Sequence, residues 1–296
     1  MSAELQTGVA YALLAGFLWG LTPLLLKRAI KYTNVSNATV VEQHVAVALL
    51  AGLAAHQGEI SAVDFTGQAF WAFFLAGAVG ASFGKVFYYR GIDKVGASKA
   101  TSVKNSSPLL TAILAMGFLG EDVNGFIVTG ILAIILGIAV LTQTQESGGR
   151  SVDRLQYYLF PLIAAMCFGI NPIFKKIGMD AANAPVLGAL ITQTTALVFM
   201  IFLGKFMGLK PKWERMPAKA LMLLTLSGAT EAFGSLFTFF ALGYGPAALL
   251  SPIWRISPLI TFALARFTLR GVEVVTFRDG VAAGLIVFRV FVLSHG

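Results

Sequence analysis

The chain has 296 residues, 57% hydrophobic and 12% charged, and its mean hydropathy of +0.78 excludes an ordinary soluble domain. A formal net charge of +8 would suit nucleic acid, but Lys and Arg stand at the ends of apolar runs rather than in one polar patch, so no nucleic-acid partner is expected. The single cysteine, Cys167, excludes an internal disulfide and a thiolate metal site, and neither a cofactor nor a metal is expected.

Runs long enough to cross a hydrocarbon core as helices are predicted near residues 8–27, 36–55, 69–91, 97–118 and 124–143. Five more follow near 156–174, 184–204, 219–242, 247–268 and 274–293. The first is too long for a signal-peptide core and follows no basic n-region, so it is expected to stay in the mature protein. The predicted fold class is therefore an all-α membrane protein of ten transmembrane helices, with the lipid bilayer as its surroundings.

"SSPLLT" at Ser106–Thr111 returns as "ISPLIT" at Ile256–Thr261, an offset of 150 residues. The same offset pairs Gln43 with Gln193, Phe83-Gly84 with Phe233-Gly234, and Gly130 with Gly280. One residue less pairs "WGLTP", ending at Pro23, with "FGINP", ending at Pro172. Residues 1–143 and 155–296 thus read as two copies of a five-span unit, joined by a polar linker at 144–154. An odd number of spans begins and ends on opposite sides, so the second copy enters upside down, the arrangement with which secondary transporters build a midplane site.

These features, with "FLWGLTPLLLKRAI" opening the first copy and "SSPLLTAILAMGFLGEDV" closing its fourth span, resemble the drug/metabolite transporter superfamily in its EamA branch, across nearly the whole chain. The second copy departs from the pattern: "LGEDV" becomes "LRGVEVV", which displaces Glu273 from the place of Glu121. The resemblance implies a ten-span exporter of small molecules, not an enzyme. Many members have both termini inside. The charge pattern predicts the opposite, because Lys27, Arg28 and Lys31 through to Arg266 and Arg270 fall in alternate connections, against Lys175 and Lys176 on the other side. Both termini are accordingly expected outside, in a bacterial or archaeal cytoplasmic membrane.

Polar groups inside a span cost about 2.5 to 3.5 kcal/mol each, so they face the bundle interior and mark a pathway. Lys104 lies one helical turn before Pro108 and Arg255 three residues before Pro258, beside carbonyls that proline leaves without their usual partner, a setting that suits an anionic group. Glu231, Gln43 and Gln193 are the polar candidates beside them, and Trp254, Trp19, Phe83 and Phe233 the aromatic ones. Pro23, Pro108, Pro172 and Pro258 are the expected helix breaks. Glu42, Glu231 and His44 are candidates for proton exchange. An internal ion pair, Lys85 or Lys104 with Glu42 or Glu231, would explain the same charges without a ligand.

The expected function is transport of a small polar metabolite, amino acids first, by alternating access; export is implied by the resemblance alone. Sugars, phosphorylated sugars or drugs are alternatives within the superfamily. An intramembrane enzyme is a distant one, since no H-E-x-x-H or G-x-S-x-G is present. Absence of G-x-x-x-x-G-K-[ST] excludes a P-loop for ATP. Nothing in the sequence sets the oligomeric state, and a monomer suffices.

Overall fold

The computed structural model describes residues 2–59, 66–95, 100, 103–125, 127–132, 135, 155–206 and 216–268. The linker at 144–154, Glu273 and the span predicted at 274–293 lie outside them, as does most of the fifth span. The described residues are mostly helical, with short turns between helices and no strand, as expected where lipid offers the backbone no hydrogen bonds.

The first half supplies α1 (Ala3–Ala29) and α2 (Val35–Gln57). A third, composite helix follows: α3 (Gly67–Leu75), a π-helical stretch (Ala76–Phe83) and α4 (Gly84–Val95). The fourth is α5 (Ser107–Leu114), which widens into a π-turn at Ala115–Leu119. From the second half come α6 (Leu159–Ala181), α7 (Pro185–Phe206), α8 (Ala218–Tyr244), α9 (Ala247–Trp254) and α10 (Ser257–Thr268). Side-chain caps open the early helices: Ser2, Asn34 and Thr66 each accept from the backbone N–H three residues on, at 3.3, 2.8 and 3.2 Å. Gly58 ends α2 at φ 70°, in the left-handed region that glycine adopts without strain.

Among the described residues, six helices are long and apolar enough to span a membrane, and between 33% and 50% of the most apolar stretch of each is buried. The remainder faces outward and is largely apolar: Trp71 is 59% exposed and Val198 57%. An apolar envelope on helices of this length suits contact with lipid.

Packing repeats itself between the halves. α1 lies antiparallel to α8, with Gly8 against Tyr244 and Gly234 against Trp19, and Thr22 Oγ1 2.8 Å from Thr230 Oγ1. The composite third helix lies antiparallel to α6 in the same register, with Gly91 against Pro161, Gly84 against Phe168 and Gly80 against Asn171. The proline motif repeats its bonds as well. Thr111 Oγ1 donates to Gly169 O at 2.8 Å and Ser107 O at 3.1 Å, while Thr261 Oγ1 donates to Gly20 O at 2.9 Å and Ser257 O at 3.0 Å. Each half therefore grips the other through the same residues. Since α6 and α8 are two crossings apart and run the same way, α1, antiparallel to α8, is opposed to its own counterpart α6. The repeats are inverted.

Proline acts in two ways. Pro108 and Pro258 stand in the first turns of α5 and α10, where their missing N–H costs no helical bond, and a turn at Asn105-Ser106 or Arg255-Ile256 precedes each. Pro23 and Pro172 differ from the expected helix breaks. They lie inside α1 and α6, which run on without interruption; in α6 the carbonyl that Pro172 frees, that of Phe168, accepts from Arg255 Nη2.

Candidate functional site

Where the two halves face one another, a cavity of about 310 Å³ opens between α1, α2, the π-helical stretch, α6, α7, α8 and the two interrupted helices. Its walls carry Trp19, Thr22, Pro23, Glu42, Lys85, Lys104, Asn105, Phe168, Asn171, Lys175, Gln193, Glu231, Trp254, Arg255 and Pro258. Six charged side chains thus share one enclosure, four cations and two carboxylates.

Arg255 sits in the turn between α9 and α10. Its Nη2 donates to Phe168 O at 2.9 Å and its guanidinium lies 5.3 Å from the centre of the Phe168 ring. Phe168 O is the carbonyl four residues before Pro172, the one that proline deprives of its helical donor. Lys104 Nζ lies over Tyr88 at 4.7 Å and over Phe168 at 5.6 Å, so one aromatic ring carries two cations.

Lys175, 4% exposed, donates to Thr238 Oγ1 at 2.9 Å and lies over Phe239 at 4.7 Å and Trp19 at 5.8 Å. It was expected in a connection, as a flanking charge. α6 instead continues to Ala181 and turns Lys175 inward. Lys176 donates to Leu242 O at 3.1 Å and pairs with Asp180 at 2.8 Å.

The carboxylates are occupied. Glu42 accepts from Ser227 Oγ, and Glu231 lies 3.7 Å from Lys85 Nζ and 3.4 Å from Gln193 Nε2. Gln43 Nε2 donates to Gln193 Oε1 at 2.8 Å and to Gln193 O at 3.1 Å. Gln43 stands behind the cavity wall while Gln193 reaches it. One of the ion pairs considered from the sequence, Lys85 with Glu231, is present. It leaves Lys104, Lys175 and Arg255 with no carboxylate within 4.0 Å among the described residues.

Several expected residues lie elsewhere. His44 is exposed on the outer side of α2, its Nδ1 2.7 Å from Val40 O, because two residues of helix turn it about 200° from Glu42 and so off the inward face that Glu42 and Gln43 hold. Phe83, 36% exposed, tilts against Phe199 with 5.9 Å between centroids, and Phe233 packs into the apolar cluster around Leu50 and Phe239. Neither lines the cavity, and of the four prolines Pro23 and Pro258 do.

A family model described as "EamA-like transporter family" matches residues 6–143 and again 155–295. The chain belongs to the EamA-like transporter family. Comparison with curated proteins finds no match. A solved structure described simply as "Crystal structure of protein" covers 98% of this EamA-like chain and 97% of its own, with a TM-score of 0.77 and 16% identity. At that identity the likeness is one of fold alone.

Sequence reasoning missed Lys175, Asn105 and Asn171 in this EamA-like cavity. A signal existed for two of them: Asn171 stands where Thr22 stands in the first copy, and Asn105 where Arg255 stands in the second. Lys175 had only its place one turn beyond Pro172 to mark it.

Proposed function

We propose that the protein is a secondary transporter that moves a small polar metabolite, with amino acids as first candidates, by alternating access between its two halves. The observation that carries this reading is the charged cavity between inverted copies, since charge placed within a membrane-spanning repeat interface is costly and marks a pathway. The carboxylate of an amino acid would pair with Arg255 or Lys104, and its ammonium with Glu231 or Glu42. Trp19 and Trp254 would contact the apolar remainder. These two carboxylates are also the proposed proton-exchanging groups; His44, exposed on the outside of α2, is poorly situated for that role.

Ten spans, export, and both termini outside a bacterial or archaeal cytoplasmic membrane belong to the same proposal. With Lys175 buried, the side opposite the basic connections loses one of its two expected cations, which sharpens the charge asymmetry. A terminal tag should be accessible on intact cells; labelling only after permeabilisation contradicts this orientation.

Uptake of labelled amino acids, sugars and phosphorylated sugars into proteoliposomes tests the function. Arg255→Ala, Lys104→Ala and Glu231→Gln should each reduce transport by about tenfold or more, the equivalent of about 1.4 kcal/mol. Full activity in all three would remove the site assignment and leave the fold untouched.

A further inference from the structure

The chemistry lining the cavity is unbalanced. Lys85, Lys104, Lys175 and Arg255 face Glu42 and Glu231, and both carboxylates already accept bonds, from Ser227 and from Gln193 with Lys85 beside it. The donors are in surplus. Trp19 Nε1 and Asn105 Nδ2 are buried with no hydrogen-bond partner among the described residues, and Asn105 is 3% exposed. Arg255 spends one of its five N–H donors on Phe168 O, and Lys175 one of its three on Thr238. Leaving buried donors such as those of Trp19 and Asn105 unmet is costly, and a ligand that supplies acceptors and negative charge removes the cost.

The position of the surplus matters as much as its size. Lys104 and Arg255 lie within 5.6 Å of the centre of one ring, Phe168, and Lys175 lies over Trp19, which holds the equivalent place in the other copy. Cation–π contact holds these groups without neutralising them. The cations therefore stay available where the paired aromatics face the cavity.

Building on the transport reading above, we propose that the ligand of this cavity is a small organic anion with more negative than positive charge, rather than a neutral zwitterion. A second carboxylate or a phosphate monoester supplies the required acceptors equally well. The full-length protein in detergent is titrated calorimetrically, at matched ionic strength, with L-glutamate, succinate and glycerol 3-phosphate, and with their uncharged or zwitterionic counterparts L-glutamine, succinamide and glycerol. At least one anion should bind about tenfold or more tightly than its counterpart, and which one does separates carboxylate from phosphate. That preference should fall about tenfold in Lys104→Gln and in Arg255→Gln, and Arg255→Lys should recover part of it.

Equal binding within every pair, or no binding of any anion at about 10 mM, overturns the proposal. The comparison within wild-type protein needs no variant, so a misfolded variant does not rescue it. The two readings fail separately in proteoliposomes. Anions that bind with this dependence while no probe crosses the bilayer would refute transport. L-Glutamine carried across with loss in Arg255→Gln, and no anion preference, would refute the present proposal alone.

Discussion

Pro172 removes the amide hydrogen that Phe168 O would accept inside α6, and Arg255 Nη2 takes its place at 2.9 Å from the turn between α9 and α10. Removing Arg255 then strands a buried carbonyl as well as deleting a cation. In a Pro172→Ala background the restored amide satisfies that carbonyl, so Arg255→Ala should destabilise the protein less than it does in wild type. The coupling expected from a double-mutant cycle is about 1 kcal/mol, read by reversible denaturation in mixed micelles. This contact could not be read from the sequence. Proline announces a freed carbonyl, but which of the distant donors reaches it depends on how helices from both halves converge.

Among the elements, α9 is placed by a residue of the first half. Glu121, in the segment that follows the π-turn, accepts from Ala247 N at 2.7 Å and Ala248 N at 2.8 Å, meeting two of the unpaired donors that open α9. A carboxylate there also complements the positive end of the helix. Glu121→Ala should cost about 1 to 2 kcal/mol of stability and Glu121→Gln less, compared by thermal unfolding. Close approach of helices gives a second contrast. A Cβ on Gly20 would meet Ile260 Cβ at 2.7 Å, whereas one on Gly52 would meet nothing within 4 Å. Gly20→Ala is expected to lower stability by about 1 to 3 kcal/mol, and Gly52→Ala to leave it unchanged or raise it slightly. "LGEDV" stood out in the sequence as a family pattern, yet the helix end that Glu121 meets lies more than a hundred residues on. Gly20 and Gly52 look alike there too, since Ile260, whose side chain tells them apart, is distant in sequence.

At the scale of the whole molecule, the antiparallel register of α1 and α8 predicts that Thr22→Cys with Thr230→Cys, in a Cys167→Ser background, forms a disulfide on mild oxidation. The two hydroxyls they replace are 2.8 Å apart. Non-reducing electrophoresis after cleavage between the halves reads the result; no cross-link would argue against this register. The duplication itself was legible because the copies kept the same residues where they touch: Thr111 with Gly169, and Thr261 with Gly20, lie at matched positions in both. The cavity was legible only in part. Glu42, Glu231, Lys104 and Arg255 betrayed themselves as charges inside apolar runs, while Lys175 sat too near the predicted end of its span to be distinguished from a flanking residue. His44 erred the other way, because proximity in sequence to Glu42 and Gln43 says nothing about sharing their side of a helix.

Gln43 and Gln193 are the same residue of the two copies, and they bond to each other. A position can meet its own counterpart only on the axis relating the pair, as at the centre of a symmetric dimer. Two separate, identical five-helix chains inserted in opposite senses could therefore make the same contact, with no linker needed to bring those glutamines together.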